Sequence, residues 1–113
     1  MMIFVNDPFE MLDEAFQNLH PEKEYKACIE PELENKKGNT VHGFTQFNDD
    51  ETPIIAISAE LTIKDAVEIF AHELAHVATG KGVGHGEKWE QEYEKIFREY
   101  NRIGNEMFPE QED

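Results

Sequence analysis

The sequence predicts an α+β fold, in which one helix, a small three-stranded sheet and two further helices follow each other in a single domain. Apolar residues recur at helical spacing near the N-terminus and again through the second half of the chain. Three short segments rich in β-forming residues lie between these helical segments. With 113 residues, the chain is long enough for one hydrophobic core. We assign the domain to residues 1–108 and expect 109–113 to form a disordered acidic tail.

The first helix is predicted from its capping signals. Asp7 can cap it, Pro8 suits its first position, and Glu10 stands three residues after the cap, as in a capping box. Four apolar residues then recur at helical spacing: Phe9, Leu12, Phe16 and Leu19.

The sheet is predicted from three segments. Residues 24–29 and 40–47 are expected to pair as a hairpin, and residues 52–58 form the third strand. Since Pro53 cannot donate to a ladder, the third strand is expected to start at, or lie along, an edge of the sheet. Cys28 is flanked by apolar residues and is expected to be a small core residue.

The second and third helices are bounded by clear start and stop signals. Thr62 can cap the second helix, and Gly80 is a suitable residue to end it. The last helix is predicted from near Gly86 to about Met107, with Trp89 packing it onto the sheet. Its buried stripe is expected to consist of Trp89, Tyr93, Ile96, Phe97, Tyr100 and Ile103.

Composition limits the classes of function and location. The formal net charge of −15 repels phosphate backbones, so direct nucleic-acid binding is not expected, and a peptide or protein substrate would be neutral or basic. Cys28 is the only cysteine, which excludes an intrachain disulfide and a cysteine-rich zinc ribbon. No apolar run approaches the ~20 residues of a membrane span, and no signal segment is recognisable. We therefore expect a cytoplasmic protein without a membrane partner.

The chemistry is predicted from an HExxH motif, His72-Glu73-Leu74-Ala75-His76, within the second helix. Positions i and i+4 share one helix face and lie ~6 Å apart along the axis, so both imidazoles can reach one ion. That separation suits two Zn–N bonds of ~2.0–2.1 Å. Glu73 follows the first ligand and can take a proton from a zinc-bound water. The motif indicates a Zn²⁺-dependent hydrolase, most often of peptide bonds.

A catalytic zinc site needs a third protein ligand, and His85 is the favoured candidate. It follows a glycine-rich reversal that can bring it back over the motif. A carboxylate of the last helix is the alternative, and three are placed early enough: Glu87, Glu90 and Glu94. His20 and His42 are interpreted as a helix-end residue and a partly exposed strand residue.

Other interpretations of the motif stay open. The HExxH run could be a chance match, or the metal could be structural in a non-catalytic protein-interaction module. If the site is catalytic, the residue that stabilises the oxyanion is not determined by spacing. Its candidates are Tyr93, Tyr100 and His42.

The motif and the following His85-Gly86-Glu87-Lys88-Trp89 resemble the HExxH…HGxxF/W pattern of SprT-like and WLM-type zincin metallopeptidases. The order of elements is also similar to the minimal zincin core of the smallest gluzincin-type peptidases. The resemblance implies that His72, His76 and His85 bind zinc and that Glu73 is the general base. It further implies that the third strand is an edge strand that holds a peptide substrate, through Ile54, Ile55, Ala56 and Ile57.

Overall fold

The architecture agrees with the predicted α+β fold. The computed structural model describes residues 7–48 and 52–107, so the predicted tail at 109–113 lies outside the described residues. Three helices and a three-stranded sheet follow in the expected order: α1 (Pro8–Leu19), β1 (Lys26–Glu30), β2 (Gly43–Gln46), β3 (Ile54–Ser58), α2 (Ile63–Thr79) and α3 (Glu87–Met107).

The helix boundaries follow from the predicted caps. The carboxylate of Asp7 accepts a hydrogen bond from the backbone amide of Phe9 at 2.9 Å. At the start of α2, the hydroxyl of Thr62 accepts one from the amide of Asp65 at 3.2 Å. Gly80 ends α2 with a φ of 95°, a left-handed conformation that a glycine adopts without strain. Local side chain–backbone bonds therefore fix where α1 and α2 begin.

The strand order is β1-β3-β2, and this corrects two predictions. The first two strands do not form a hairpin, because β3 lies between them, parallel to β1 and antiparallel to β2. The third strand is accordingly the central strand and not an edge strand. Its continuous apolar run (Ile54, Ile55, Ala56 and Ile57) is typical of a strand that is buried on both faces of the sheet. Pro53 precedes the paired residues, where its missing N–H interrupts no ladder, and its carbonyl accepts from the amide of Lys26 at 2.9 Å.

The core lies between the sheet and the helices. Contacts join α2 to β2, β3, α1 and α3, so α2 is the central element of the helical layer. The largest fully buried side chains come from α1, β3, α2 and α3: Leu12, Phe16, Ile55, Leu74 and Ile96. Of the predicted stripe on α3, Ile96 and Ile103 are buried and the aromatic residues are half-buried.

Strand β1 contributes less to the core than expected. All five of its residues are exposed, and Ile29 keeps 59% of its surface in solvent. The prediction that Cys28 is a core residue was wrong, because the strand that carries it lies at the edge of the sheet. Among the described helices, none combines the length and the apolar character that crossing a bilayer requires.

Candidate metal centre

Helix α2 places both histidines of the HExxH motif beside each other. Its apolar face is anchored in the core, with Leu74 and Ala75 fully buried. His72 and His76 are then one turn apart on the same side, with ring centroids separated by 5.0 Å. The rigid helix therefore sets the spacing of the two imidazoles.

The segment between α2 and α3 brings the third histidine back over α2. Gly80, Gly82 and Gly84 have φ values of 95°, 84° and 72°, which side chains with a Cβ rarely adopt. The reversal places the ring of His85 4.9 Å from that of His72 and 4.6 Å from that of His76. The predicted tight path of this segment is thus present.

The three imidazoles converge through their Nε2 atoms. His85 Nε2 lies 2.9 Å from His76 Nε2 and 3.1 Å from His72 Nε2. All three ligand atoms lie within 4.8 Å of one another. Zn–N bonds of ~2.0–2.1 Å at tetrahedral angles would separate such nitrogens by roughly 3.3 Å. The donor set therefore fits one cation of that size.

The protonation state of the cluster also suits a metal. Burial lowers the pKa of His72, and the neighbouring His85 lowers it further. Burial, followed by the effects of His72 and His85, lowers the pKa of His76 to about 4. Both rings are consequently neutral near pH 7, which is the form that binds a metal ion.

Glu73 is the one charged residue buried among the described residues, with 5% of its surface exposed. Its Oε1 accepts a hydrogen bond from the hydroxyl of Thr45 at 2.8 Å, and its Oε2 lies 4.0 Å from His72 Nε2. Burial raises the pKa of Glu73, whereas the bond from Thr45 lowers it. A buried carboxylate beside three imidazoles is a feature typical of a functional site.

Trp89 packs against the histidines instead of the sheet, which corrects its predicted position. Its ring centroid lies 4.7 Å from that of His72 and 5.0 Å from that of His85. The indole Nε1 donates to the backbone carbonyl of His72 at 3.2 Å. The indole also stacks on the ring of Tyr93, with the centroids 5.1 Å apart and an interplanar angle of 25°. Trp89 thus fixes the first turn of α3 to the cluster.

The other sequence candidates are members neither of this metal-binding group nor of the lining of its pocket. Within the described residues, the group that could hold a metal contains His85 and none of the carboxylates Glu87, Glu90 and Glu94. The pocket at the cluster is not lined by any of the oxyanion candidates (His42, Tyr93 and Tyr100) or by residues of the central strand (Ile54 to Ile57).

Strand β2 supplies residues of the site that the sequence did not indicate. The pocket beside the cluster has a volume of 330 Å³ and is lined by Gly43, Phe44, Thr45, Phe47, His72, Glu73, His76 and His85. Half of this lining comes from β2 or the residue that follows it. From the predicted strand 40–47 the sequence offered only His42 as a candidate for the site, because the position of Gly43, Phe44 and Thr45 depends on the strand order.

No protein-family model matches the sequence, and no curated protein matches it either. Among solved structures, the chain is similar to one described as "Crystal structure of the metallopeptidase zymogen of Pyrococcus abyssi abylysin". The two share 19% identity with a TM-score of 0.55, over 88% of this chain and 94% of that chain. The chain has a zincin-like α+β fold. In this zincin-like fold, α2 carries His72, Glu73 and His76, and the segment before α3 carries His85.

Proposed function

We propose that the protein is a zinc-dependent peptidase of the HExxH type, with His72, His76 and His85 as ligands and Glu73 as general base. The observation that carries the proposal is the convergence of three Nε2 atoms beside a buried carboxylate. A structural zinc site would close its fourth position with a protein ligand. The described residues offer three such groups at this place, which leaves a position for water and favours catalysis over a zinc-bearing interaction module.

The mechanism uses the two oxygens of Glu73 differently. A bound Zn²⁺ would lower the pKa of a water molecule and polarise the carbonyl of a peptide bond. The Oε2 of Glu73, on the side of His72, would accept a proton from the attacking water. The same carboxylate would then give this proton to the amine that leaves when the peptide bond breaks. The raised pKa of Glu73 assists the first transfer, because a stronger base accepts the proton of the water more readily.

The substrate would bind along β2, and not along the third strand as the family resemblance implies. β2 ends the strand order, so on its outer side it has no neighbouring strand among the described residues. It also borders the histidine cluster, through Gly43, Phe44 and Thr45. An extended peptide that pairs with the free backbone groups of β2 would place one of its carbonyls beside the cluster.

A second depression continues along β2 from the metal centre. It has a volume of 490 Å³ and shares Phe44, Thr45 and Phe47 with the first pocket. Lys36 and Lys81 also line it. This depression would receive a substrate side chain next to the bond that is cleaved.

We further propose the SprT-like or WLM-type subtype, which is supported by the contacts that His85, just before α3, and Trp89, in the first turn of α3, make with the motif. A peptide or protein substrate and a cytoplasmic location belong to the same proposal. Direct nucleic-acid binding is not part of it, because the net charge is −15.

The proposal is tested by zinc content and peptide cleavage, measured on wild type and on Glu73→Gln in parallel. Wild type should hold one zinc per chain and cleave members of a mixed peptide library, detected by mass spectrometry. Glu73→Gln should keep the zinc and lose roughly 10²- to 10⁴-fold in turnover, the usual contribution of a general base. Equal turnover in both proteins, or a zinc-loaded wild type that cleaves nothing, would contradict the proposal.

A further inference from the structure

Thr45 is the side chain of β2 that reaches the proposed general base. In the register of the sheet, Thr45 pairs with Ile55, which is fully buried under the helices. Residues at paired positions point to the same face, so Thr45 points towards α2. Its Oγ1 donates to Glu73 Oε1 at 2.8 Å and lies 3.4 Å from the backbone carbonyl oxygen of Glu73. A hydroxyl has one proton, and the shorter distance to a carboxylate oxygen favours the first partner.

Gly43 allows β2 to approach α2 closely enough for this bond. A Cβ at this position would stand 2.5 Å from Ile69 Cγ2 and 3.1 Å from the carbonyl oxygen of Ala56. Any larger residue would push the strand away from the helix or displace Ile69. Thr45 follows two residues later on the same face, so the short threonine side chain spans the remaining gap.

The bond from Thr45 restricts the orientation of the Glu73 carboxylate, whose two oxygens are otherwise equivalent. With Oε1 held by Thr45, Oε2 is the oxygen that faces His72 Nε2, at 4.0 Å. We infer that Thr45 is a positioning residue, whose hydroxyl orients Glu73 towards the metal-side water. Through this bond, the conformational order of the catalytic carboxylate depends on the conformational order of the edge strand β2. This inference rests on the proposed peptidase function.

The link to β2 has a consequence for catalysis. A peptide paired with the outer side of β2 would steady the strand, and the strand would steady Glu73 through the Thr45 hydroxyl. The carboxylate would then be best ordered when substrate is bound. Loss of the hydroxyl should accordingly lower kcat and leave KM nearly unchanged, since the backbone groups that bind the peptide remain.

The decisive variants are Thr45→Val, which removes the hydroxyl but keeps the branched shape, and Thr45→Ser, which keeps the hydroxyl. Thr45→Val should keep one zinc per chain and lose roughly 10- to 100-fold in kcat, as expected for a misplaced catalytic group. Thr45→Ser should recover most of that loss. Thr40→Val makes the same chemical change at an exposed position before β2 and should behave as wild type.

A second measurement tests the contact without metal or substrate. In the zinc-free protein, Thr45→Val, Glu73→Leu and the double variant form a cycle of unfolding midpoints in denaturant. Thr45→Val should destabilise the wild-type protein and have little effect when Glu73 is already leucine. Additive effects would show that the two side chains do not interact and would overturn the inference.

The two proposals fail in different ways. Wild-type kcat in Thr45→Val, with Glu73→Gln inactive, would overturn the role of Thr45 and leave the peptidase intact. Activity in Glu73→Gln would remove the peptidase mechanism itself. An equal loss of kcat in Thr45→Val and Thr45→Ser would also reject the inference, because the hydroxyl would then not be the group that matters.

Discussion

One histidine group near α3 is the single residue His20 and the other is a cluster of three, and they differ in what their ring nitrogens face. His20, at the end of α1, has its Nε2 2.8 Å from Glu92 Oε2 on α3. The cluster of His72, His76 and His85 has its Nε2 atoms directed at one another. The first histidine already has an anionic partner, whereas the cluster presents three nitrogen donors to a common point. The partner of the ring nitrogen, and not the number of histidines, therefore indicates a metal centre.

The two groups also stabilise different parts of the fold. His20 joins the end of α1 to α3, where Asn18 adds a 2.9 Å bond to Glu99 Oε2. These contacts are complete without a metal ion. The cluster joins α2 to the segment before α3, and a bound cation would add to that connection. Variants at the two places should therefore differ in their response to zinc.

The largest expected difference is in zinc affinity. His85→Ala removes one of three ligands and should lower the affinity by more than the roughly 10- to 100-fold typical of changes outside the ligand sphere. His20→Ala, the matched control, should bind zinc as wild type does. Competition with a chromophoric chelator measures both values. Zinc retained in His85→Ala would move the third ligand to a carboxylate of α3 such as Glu87.

Removal of the metal should have the next largest effect, on thermal stability. Zinc at roughly 1,000 times its Kd stabilises the folded state by about 4 kcal/mol. A chelator should therefore lower the Tm of wild type and of His20→Ala by a similar amount. The same chelator should leave the Tm of His85→Ala unchanged. Differential scanning calorimetry gives the comparison, and an unchanged wild-type Tm would contradict a zinc site that contributes to folding.

Acidification of the zinc-free protein should destabilise it through His76 of the cluster. The pKa of His76 is about 4 in the folded state, below the 6.5 of a free imidazole. Between these values the unfolded state binds more protons, so stability falls as the pH decreases from 6.5 towards 4. His76→Asn should flatten this slope. Denaturant unfolding at several pH values measures the slopes, and equal slopes for wild type and His76→Asn would refute the assignment.

The sequence predicted the helices and the histidine cluster because both depend on short-range geometry. Capping by Asp7 and Thr62 acts over three residues. The spacing of His72 and His76 is fixed by one helical turn, and the glycines before His85 permit the tight reversal that returns it to the helix. Such features are determined within about fifteen residues of chain, so a pattern in the sequence is sufficient to find them.

The sheet and its contribution to the site could not be predicted in the same way. The order β1-β3-β2 depends on pairing between strands that are distant in sequence, and both hairpin and crossover arrangements satisfy the local patterns. Thr45 and Gly43 were missed for this reason, since each gains its role from the placement of β2 against α2. The apolar run of the third strand favours a central position, and Pro53 does not oppose it because it precedes the paired residues.

The smallest expected effect is at His20, and it completes the comparison. His20→Ala removes a bond to a carboxylate, with 18% of each side chain exposed, and should lower the free energy of unfolding by about 1–2 kcal/mol. His20→Gln, which keeps a donor, should recover part of the loss. Denaturant unfolding with and without zinc measures both, and zinc content should match wild type throughout. Weakened zinc binding in His20→Ala would mean that the contact between α1 and α3 also sets the geometry of the cluster, and the two histidine groups would then be one coupled unit.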